Sequence, residues 1–428
     1  MLNHLYQIEK KVALGQNNKA IIIAADENVN SPEIKYDAIE LSLLAKTLGL
    51  EVVDVVYYRL RKISPSTYIG KGTAESTLNN CKVLGCSNII LNVDISPSQI
   101  KNLQNLAGYE IKVYDRSGII IEIFSRHAKS KEAKTQVQLA KLQYLLPRLT
   151  RQWTHLERQM GGVGTTGGPG EKQIEIDRRL ISNQIKKLKS DLKKIDKNRD
   201  VQMDTRENAF NVSLVGYTNA GKSTLMKALT GTDVYIKDEL FATLDSTTRI
   251  MKNEGPNDIL ISDTVGFIQK IPHSLIDSFK STLKEIIQSN LLLKVIDISS
   301  ENFYLYMETI DSTLADIECK NKESILVFNK IDLIDEVEIR SFKKRYPNAV
   351  FISAFTNDGI NDLISRIVKL SEKQFVEKNI SVKHSEQNVI SFIYDTFRVV
   401  NRSDKYEHIE FHLFGSESNF NRLRKLLK

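Results

Sequence analysis

An apolar run followed by a glycine-rich turn is the segment of this sequence that most clearly encodes chemistry. Residues 210–215 read as a strand, and residues 216–223, GYTNAGKS, fit the pattern GxxxxGK[ST] and lead into a helix. In such a loop the glycines let backbone N–H groups surround phosphates, the lysine contacts the β- and γ-phosphates, and the hydroxyl ligates Mg²⁺. The pattern predicts a nucleoside triphosphate site in which Lys222 is catalytic and Ser223 is a metal ligand. The predicted phosphate-binding residues are Gly216, Tyr217, Thr218, Asn219, Ala220, Gly221, Lys222 and Ser223.

A second segment predicts how the site holds Mg²⁺ and detects the γ-phosphate. Residues 259–266, ILISDTVG, form an apolar strand that ends in Asp-x-x-Gly. Asp263 is placed to hold the ion through a water molecule, and the Gly266 N–H is placed to bond the γ-phosphate. We therefore expect Asp263, Thr264, Val265 and Gly266 to belong to the site, with Gly266 among the catalytic groups.

Two further strand ends predict that the base is guanine. Residues 324–332, SILVFNKID, end in Asn-Lys-x-Asp, where the aspartate can accept hydrogen bonds from the N1–H and 2-amino groups of guanine. Adenine lacks both donors and would leave the carboxylate unpaired. Residues 351–355, FISAF, run into a Ser-Ala pair that can back the base. The predicted base-binding residues are Asn329, Lys330, Ile331, Asp332, Ser353, Ala354 and Phe355.

These motifs need a framework of strands and helices to position them. Each of these short motifs alone is ordinary at the end of a strand. The four motifs in this order favour a P-loop GTPase domain with a doubly wound sheet over residues 210–372. Residues 1–128 show a similar alternation, which predicts an N-terminal parallel α/β domain. The candidate strands there are 20–25, 51–58, 88–92 and 111–114, and the candidate helices are 34–48, 74–84 and 97–106. Residues 68–73, YIGKGT, fit an anion cradle at a helix N-terminus or, as we prefer, a plain strand–helix turn.

Between these two domains the hydrophobic period changes to steps of three and four. Residues 129–200 therefore predict an antiparallel helical hairpin, with Pro147 kinking or splitting its first arm. The joining loop, 161–170, has six glycines in ten residues, so it is either simply mobile or ordered by a partner. Cations flank this loop, which suits insertion into folded RNA. The predicted RNA-contacting residues are Arg148, Arg151, Arg158, Gly164, Thr166, Lys172, Arg178 and Arg179.

The rest of the chain reads as a linker and a small C-terminal domain. Residues 197–209 are polar and aperiodic, which predicts a linker. Residues 374–428 contain two runs of alternating hydrophobicity, 389–394 and 408–414, followed by a basic end. This segment is too short for a large core, so we predict a small α+β appendage.

The composition is that of a globular protein in a reducing compartment. Hydrophobic residues make up 41% and charged residues 26%, and no apolar run approaches the roughly 20 residues that span a bilayer, so we predict no membrane insertion. Three cysteines without a CxxC pair, and an N-terminus unlike a signal peptide, predict a cytoplasmic protein. Residues 126–200 hold 18 Lys and Arg against 8 Asp and Glu, in a chain whose net charge is +7. A nucleic-acid partner and a solvated helical face explain this excess equally well.

The four nucleotide motifs resemble those of translation-factor-class GTPases. Residues 241–245, FATLD, with TTR at 247–249, resemble the second motif of the HflX family, a group of ribosome-associated GTPases. The resemblance covers about residues 1–370. Its segments outside the GTPase domain are YIGKG at 68–72, DR at 115–116, QVQLA at 136–140, YLLPRL at 144–149, GPGE at 168–171 and DRR at 177–179.

This resemblance implies a function on the ribosome. Family members bind the large (50S) subunit and its rRNA, direct the hairpin loop toward the peptidyl-transferase region, and split or rescue stalled ribosomes, notably under heat stress. It also implies that Thr243 is the switch threonine, a catalytic group that joins Ser223 on Mg²⁺. The family's loop reads roughly GG[IV]GTRGPGE, whereas this chain has Thr166 where an arginine is common. The residues that would complete the nucleotide site are Phe241, Ala242, Leu244 and Asp245.

The residue after Gly266 bears on the rate of hydrolysis. Many small GTPases place a glutamine there to orient the attacking water, whereas this chain has Phe267, whose ring cannot polarise water. We therefore predict a monomeric GTPase with weak intrinsic turnover that ribosomal subunits accelerate. Two alternatives stay open: a GTPase that acts on another RNA, in ribosome assembly or on a membrane protein, and an RNA-binding module with nucleotide as a structural ligand. The family also suggests ATP binding in the N-terminal half, for which residues 70–72 are a weak basis.

Overall fold

The protein forms two compact units. The computed structural model describes residues 17–149, 169–204, 209–231, 240–241, 244, 247–251, 258–270 and 280–427. The first unit comprises Met1–Lys193, Asp238–Leu244 and Lys270–Lys280. The second comprises Lys194–Lys237, Asp245–Gln269 and Ser281–Lys428.

The first unit is built on a four-stranded parallel sheet. Its strands are β1 Lys19–Asp26, β2 Glu51–Arg59, β3 Asn88–Leu91 and β4 Lys112–Tyr114, in the order β2-β1-β3-β4. The two central strands, KAIIIAAD and NIIL, are buried along almost their whole length, as parallel strands usually are. All four predicted strands and the parallel sheet are confirmed.

Three helices connect these strands and a fourth follows β4, and three of the four begin with a side-chain cap. The helices are α1 Pro32–Thr47, α2 Lys71–Val83, α3 Pro97–Ala107 and α4 Arg116–His127. Ser31 Oγ accepts a hydrogen bond from the Ile34 N–H, and Ser96 forms a capping box with Gln99. The three predicted helices are confirmed, whereas α4 was not predicted. Most of α4 is buried, so its sequence has little of the polar–apolar contrast that marks a surface helix.

A pair of long helices follows, as predicted from the change of period. They are α5 Lys131–Leu149 and α6 Pro169–Asp204. Leu139 and Leu142 of α5 pack with Ile181 and Leu188 of α6. Pro147 lies inside α5, which continues to Leu149 although a proline at this position cannot donate the i→i−4 hydrogen bond. The linker predicted over 197–209 is wrong as far as residue 204, since α6 continues to that point.

The second unit contains a six-stranded sheet with the topology of a P-loop GTPase. Its order is β10-β9-β8-β5-β7-β6, and only the pairing of β6 with β7 is antiparallel. The strands are β5 Phe210–Gly216, β6 Thr247–Ile250, β7 Ile259–Asp263, β8 Leu291–Asp297, β9 Ser324–Asn329 and β10 Val350–Phe351. The helices are α7 Lys222–Thr230, α8 Lys280–Gln288, α9 Phe303–Asp316, α10 Glu336–Arg345 and α11 Ile360–Gln374. The predicted α/β fold class is confirmed.

The end of the chain adds a small antiparallel sheet with two helices. The elements are β11 Phe375–Lys383, α12 Gln387–Thr396, β12 Arg398–Asp404, β13 His408–Ser416 and α13 Glu417–Leu426. The alternation at 389–394 does not form a strand, because that run lies in α12 and buries Val389 and Ile393, which are one helical turn apart. Across the described ranges, no helix is both long enough and apolar enough to cross a bilayer.

Candidate nucleotide-binding site

The P-loop joins β5 to α7, and two of its glycines have no room for a side chain. A Cβ atom at Gly216 would lie 2.4 Å from the Val295 carbonyl oxygen of the adjacent strand β8. Gly221 has a φ of +88°, and a Cβ there would lie 2.3 Å from the side-chain nitrogen of Asn329. Both glycines of the motif are therefore required by the local packing as well as by phosphate binding.

Lys222 lies at the start of α7, and its ammonium group points back into the loop. Its Nζ donates hydrogen bonds to the carbonyl oxygens of Gly216, at 3.1 Å, and Tyr217, at 2.8 Å. Burial lowers the pKa of Lys222 to about 8, and the nearby Asp263 carboxylate partly offsets this effect. The protein thus keeps a cation inside the loop on neutral acceptors, where an anionic ligand would bind it more strongly.

Ser223 and Asp263 meet at the edge of the sheet, as the strand register requires. β7 pairs with β5 so that Asp263 lies opposite Leu214, and the Thr264 hydroxyl donates to the Leu214 carbonyl oxygen at 2.6 Å. Ser223 Oγ donates to Asp263 Oδ2, also at 2.6 Å. A hydroxyl and one carboxylate are the hard oxygen donors that Mg²⁺ takes from a protein when phosphates and water complete its shell. The residues present therefore fit the predicted ion.

The segment after Asp263 lies directly against the P-loop. Phe267 N–H donates to the Gly216 carbonyl oxygen at 3.0 Å, and Thr218 N–H donates to the Phe267 carbonyl oxygen at 2.9 Å. A Cβ atom at Gly266 would lie 2.9 Å from Thr218 Cα and 3.2 Å from Lys222 Nζ. Val265 is buried, and the Phe267 side chain is only 2% exposed. Gly266 is therefore next to the lysine that it was predicted to join at the γ-phosphate.

The predicted guanine-binding residues are tied to the P-loop through Asn329. Its Nδ2 donates to the Ala220 carbonyl oxygen, and its Oδ1 accepts from the Ala354 N–H, each at 2.9 Å. One amide side chain thereby holds the phosphate loop and the Ser-Ala segment together. Lys330 has a φ of +68°, and its Nζ forms an ion pair of 2.7 Å with Asp297 Oδ2.

The carboxylate predicted to select guanine is accessible. Asp332 is exposed and lies in a short 3-10 helix, Ile331–Leu333, whose Ile331 N–H donates to the Ile352 carbonyl oxygen. Ser353 is fully buried, whereas Phe355 is 83% exposed. The structure therefore gathers the P-loop, the Asp-x-x-Gly segment and the Asn-Lys-x-Asp and Ser-Ala segments at one edge of the sheet.

Comparison with known proteins gives the same assignment. Family models described as GTP-binding GTPase N-terminal, GTP-binding GTPase Middle Region and 50S ribosome-binding GTPase match residues 35–125, 127–206 and 211–330. The chain is 40% identical over 357 residues to GTPase HflX of Magnetococcus marinus, which covers 82% of this chain and 81% of that protein. It is 38% identical over 362 residues to GTPase HflX of Escherichia coli, covering 84% of each. The chain belongs to the HflX family of GTPases.

A solved structure of a GDP-bound protein is also similar to this HflX-family chain. The complex of SsGBP with GDP aligns with a TM-score of 0.48 and 25% identity, over 83% of this chain and 99% of that one. As a member of its family, the protein binds and hydrolyses GTP.

Several predicted residues of the HflX second motif fall outside the described part of the chain. Ala242, Thr243 and Asp245 are among them, so their roles remain predictions. Phe241 and Leu244 belong to the first unit and are buried there. The Phe241 ring meets Phe124 of α4 edge to face at 4.7 Å, and its carbonyl oxygen accepts a hydrogen bond of 2.8 Å from His127 Nδ1.

The predicted RNA-contacting residues divide into those outside the described part of the chain, those on α6, and Arg148 on α5. Arg151, Arg158, Gly164 and Thr166 lie outside the described residues, and Lys172 is described only as part of α6. Arg178 and Arg179 are exposed on α6, as an RNA contact requires. Their role remains a prediction.

Arg148 has a different environment from the other predicted cations. Its Nη2 forms an ion pair of 2.8 Å with Asp115 Oδ2, and its guanidinium lies 3.5 Å from the centre of the Tyr144 ring. The Tyr144 hydroxyl donates to Asp115 Oδ1 at 2.7 Å. Burial raises the pKa of Asp115, and Arg148 acts in the opposite direction. The Arg148 guanidinium is thus occupied by groups of the protein itself, which join α5 to the start of α4.

Two residues at the nucleotide site were missed by sequence reasoning. The Tyr306 ring of α9 stacks on Tyr217 with a centroid distance of 4.2 Å, and the Gln269 N–H donates to the Tyr217 hydroxyl at 3.1 Å. Neither residue belongs to a motif, and both reach the P-loop only through tertiary contacts. The one available signal was Tyr217 itself, a large aromatic side chain inside a loop of mostly small residues.

Proposed function

We propose that this HflX-family GTPase is a GTP-dependent switch that binds the large ribosomal subunit and acts on stalled or idle ribosomes. The observation that carries the proposal is the combination, in one chain, of a P-loop gathered with the Asp-x-x-Gly and Asn-Lys-x-Asp segments and a long helix that exposes many cations. The matched family model, whose description is 50S ribosome-binding GTPase, supports the choice of partner.

The cationic helix is α6, and its charge suits an RNA backbone. Each Lys or Arg that neutralises a phosphate releases a counterion, so binding of this kind weakens steeply with salt. The exposed cations of α6 are Arg178, Arg179, Lys186, Lys187, Lys189, Lys193, Lys194 and Lys197.

Contacts between α5 and the N-terminal domain support the use of the helical pair as an arm. Tyr144 and Arg148, near the end of α5, both bind the carboxylate of Asp115, and that carboxylate is fully buried. Because Asp115 also accepts the Gly118 N–H at the start of α4, the end of α5 is tied to the body of the domain. An α5 that is fixed in this way can hold the described part of the arm in one orientation toward a partner.

The nucleotide-contacting residues divide the chemistry among them. Lys222 provides a positive charge at the β- and γ-phosphates, and the Gly266 N–H detects the γ-phosphate. Ser223 and, through water, Asp263 would hold Mg²⁺, with Thr243 as a further ligand. When bound, this ion neutralises charge that develops on the phosphate oxygens. The Phe267 side chain is buried and cannot orient water, so we propose that a ribosomal partner completes the hydrolytic site.

The experiment that tests this proposal is GTP hydrolysis by the purified protein with large ribosomal subunits, with small subunits, and with neither. We expect slow turnover alone, acceleration by large subunits, and none by small subunits. A rate that neither particle changes would remove the ribosome from the proposal and leave a GTPase with another partner. Ribosome profiles in sucrose gradients, with GTP and with GDP, would then separate splitting of 70S particles from binding to free large subunits.

A further inference from the structure

A tyrosine inside the P-loop connects three parts of the GTPase domain. The Tyr217 side chain is 3% exposed, and its ring stacks on Tyr306 of α9 with an interplanar angle of 22°. Its hydroxyl oxygen accepts the Gln269 N–H at 3.1 Å. The position therefore joins the phosphate loop, a neighbouring helix and the segment that follows Asp-x-x-Gly.

Three hydrogen bonds hold residues 266–269 against the P-loop, and we name them the P-loop latch. Phe267 N–H donates to Gly216 O at 3.0 Å, Thr218 N–H donates to Phe267 O at 2.9 Å, and Gln269 N–H donates to Tyr217 Oη. The first two form a parallel bridge between Tyr217 and Phe267, three residues after Leu214 and four after Asp263, which are the last pair of the β5–β7 ladder. The third is the only one of the three that uses a side chain, so a substitution can remove it alone.

The latched arrangement leaves little space beside Gly266. On the side that faces the loop, even a single added carbon would lie 2.9 Å from Thr218 Cα and 3.2 Å from Lys222 Nζ. Lys222 itself is turned toward the carbonyl oxygens of Gly216 and Tyr217. A γ-phosphate bound by both Lys222 and Gly266 is larger than one carbon and needs hydrogen-bond distances of about 2.8 Å to each donor. A γ-phosphate in this narrow space would compete with the latched position of residues 266–269, whereas GDP has no group that enters it.

We propose that Tyr217 is a positioning residue that closes the P-loop latch, and that the latch opposes GTP but not GDP. The stack on Tyr306 fixes the ring, so the hydroxyl stays in place to receive the Gln269 N–H. This inference deepens the proposed function, because it makes the latch the element that a ribosomal partner would open. It requires only that the site bind both nucleotides.

The test is the substitution Tyr217→Phe in the full chain, which removes the hydroxyl and keeps the stacked ring. Affinities for GDP and for a non-hydrolysable GTP analogue are measured with fluorescent nucleotides. Removal of one hydrogen bond is expected to tighten binding of the GTP analogue by about two- to tenfold while GDP affinity stays the same. Hydrogen exchange of the Gln269 amide in the GDP-bound protein should become faster, because its acceptor has been removed.

The matched control is Tyr306→Phe. It keeps the same stacked pair but removes a hydroxyl that accepts from Ser300 Oγ at 3.2 Å rather than from the latch. The affinity ratio of the two nucleotides should be unchanged in this variant. Should Y217F fail to fold, Gln269→Pro removes the same hydrogen bond from the donor side and must give the same shift in the ratio.

The outcomes separate the inference from the function on which it rests. An unchanged ratio in Y217F, with an equally protected Gln269 amide, would overturn the latch while GTP binding and hydrolysis stand. An equal change for GDP and the GTP analogue would show that Tyr217 only supports the loop structurally, which also overturns it. A wild-type protein that binds neither nucleotide would overturn the proposed function as well.

Discussion

Helices α4 and α7 each follow a parallel strand, and they use that position in opposite ways. Helix α4 follows β4 and is capped by the side chain of Asp115, which accepts the Gly118 N–H at 2.9 Å. Helix α7 follows β5 and is capped by Gly221, which has no side chain to offer. A carboxylate cap neutralises the positive end of a helix, whereas a glycine cap leaves that end to an external anion.

The charged residues beside the two helices differ in the same way. Asp115 is bound by Arg148 and Tyr144, so its charge is satisfied within the protein. Lys222 contacts the neutral carbonyl oxygens of Gly216 and Tyr217. A strand followed by a helix therefore serves a structural role where its charged groups pair with each other, as Asp115 does with Arg148. The same arrangement can serve as a binding site where a buried charge contacts only neutral groups, as Lys222 does.

Replacing Lys222 should strongly reduce GTP hydrolysis and leave the ion pair between Asp115 and Arg148 unchanged. We expect Lys222→Ala to lower the rate of GTP hydrolysis on the order of 10²- to 10³-fold, the usual effect of removing one group that stabilises the transition state. Stability to urea should not fall, because a buried charge without an ionic ligand is costly. Lys227→Ala, an exposed cation on the same helix, is the control for hydrolysis. Near-normal hydrolysis by K222A would show that the loop does not work as described.

Removing the ion pair between Arg148 and Asp115 should instead lower the stability of the protein and leave nucleotide binding unchanged. Arg148→Ala leaves the buried Asp115 carboxylate without its cation, which we expect to cost about 3 kcal/mol of unfolding free energy. The urea midpoint of the first unit, followed by circular dichroism, measures this decrease, and Arg178→Ala on the exposed face of α6 is the control. Affinity for GDP should be unchanged in R148A. A stable R148A protein with weakened RNA binding would instead assign this arginine to the RNA, as the sequence had suggested.

Sequence patterns revealed the P-loop that precedes α7, but they did not reveal the ion pair between Arg148 and Asp115 at the start of α4. The residues of the P-loop are consecutive, and each glycine and the lysine have a local reason to be where they are, so the motif could be read directly. Arg148 was read as a surface cation because its partner Asp115 is 33 residues away in sequence, and only the packing of α5 on the domain brings the two together. Tyr306 was missed for the same reason.

Helix burial explains the remaining differences. In α4 the residues from Arg116 to Ile121 are all buried, so the sequence carries no periodic polar face by which to recognise a helix. In the C-terminal domain a six-residue run is short enough for its alternation to fit a strand, although its buried residues are one helical turn apart. The fold class could be predicted because long periodic segments dominate it, whereas short and fully buried elements depend on tertiary contacts.

The unusual state of Lys222 should appear as a pH dependence of nucleotide binding. Burial lowers its pKa to about 8, and bound phosphate favours the charged ammonium group. Below pH 8 the lysine is charged before and after binding, so the affinity for GDP should be flat. Above pH 8 binding must take up a proton, and the dissociation constant should rise by up to about tenfold per pH unit.

Calorimetry in two buffers of different ionisation enthalpy would measure this proton uptake directly. Lys227→Ala should reproduce the wild-type profile. An affinity that stays flat to about pH 9.5, well above the lowered pKa, would mean that the ammonium group is not destabilised in the free site. R148A offers a contrast and should leave this profile unchanged, because Arg148 pairs with Asp115 and not with Lys222.

The smallest effect is expected when exposed cations of α6 are replaced, because these side chains are not buried as Lys222 and Asp115 are. Replacing Arg178 and Arg179 together by alanine should weaken binding to large subunits several-fold and reduce the slope of log affinity against log salt by about 1 for each phosphate that is no longer neutralised. Intrinsic GTP hydrolysis should not change. The control is Lys343→Ala with Lys344→Ala on α10, which removes the same charge from another helix surface. Equal weakening in both double variants would mean that net charge alone drives binding. Weakening confined to α6 would locate the RNA-binding surface on the arm that Asp115 anchors.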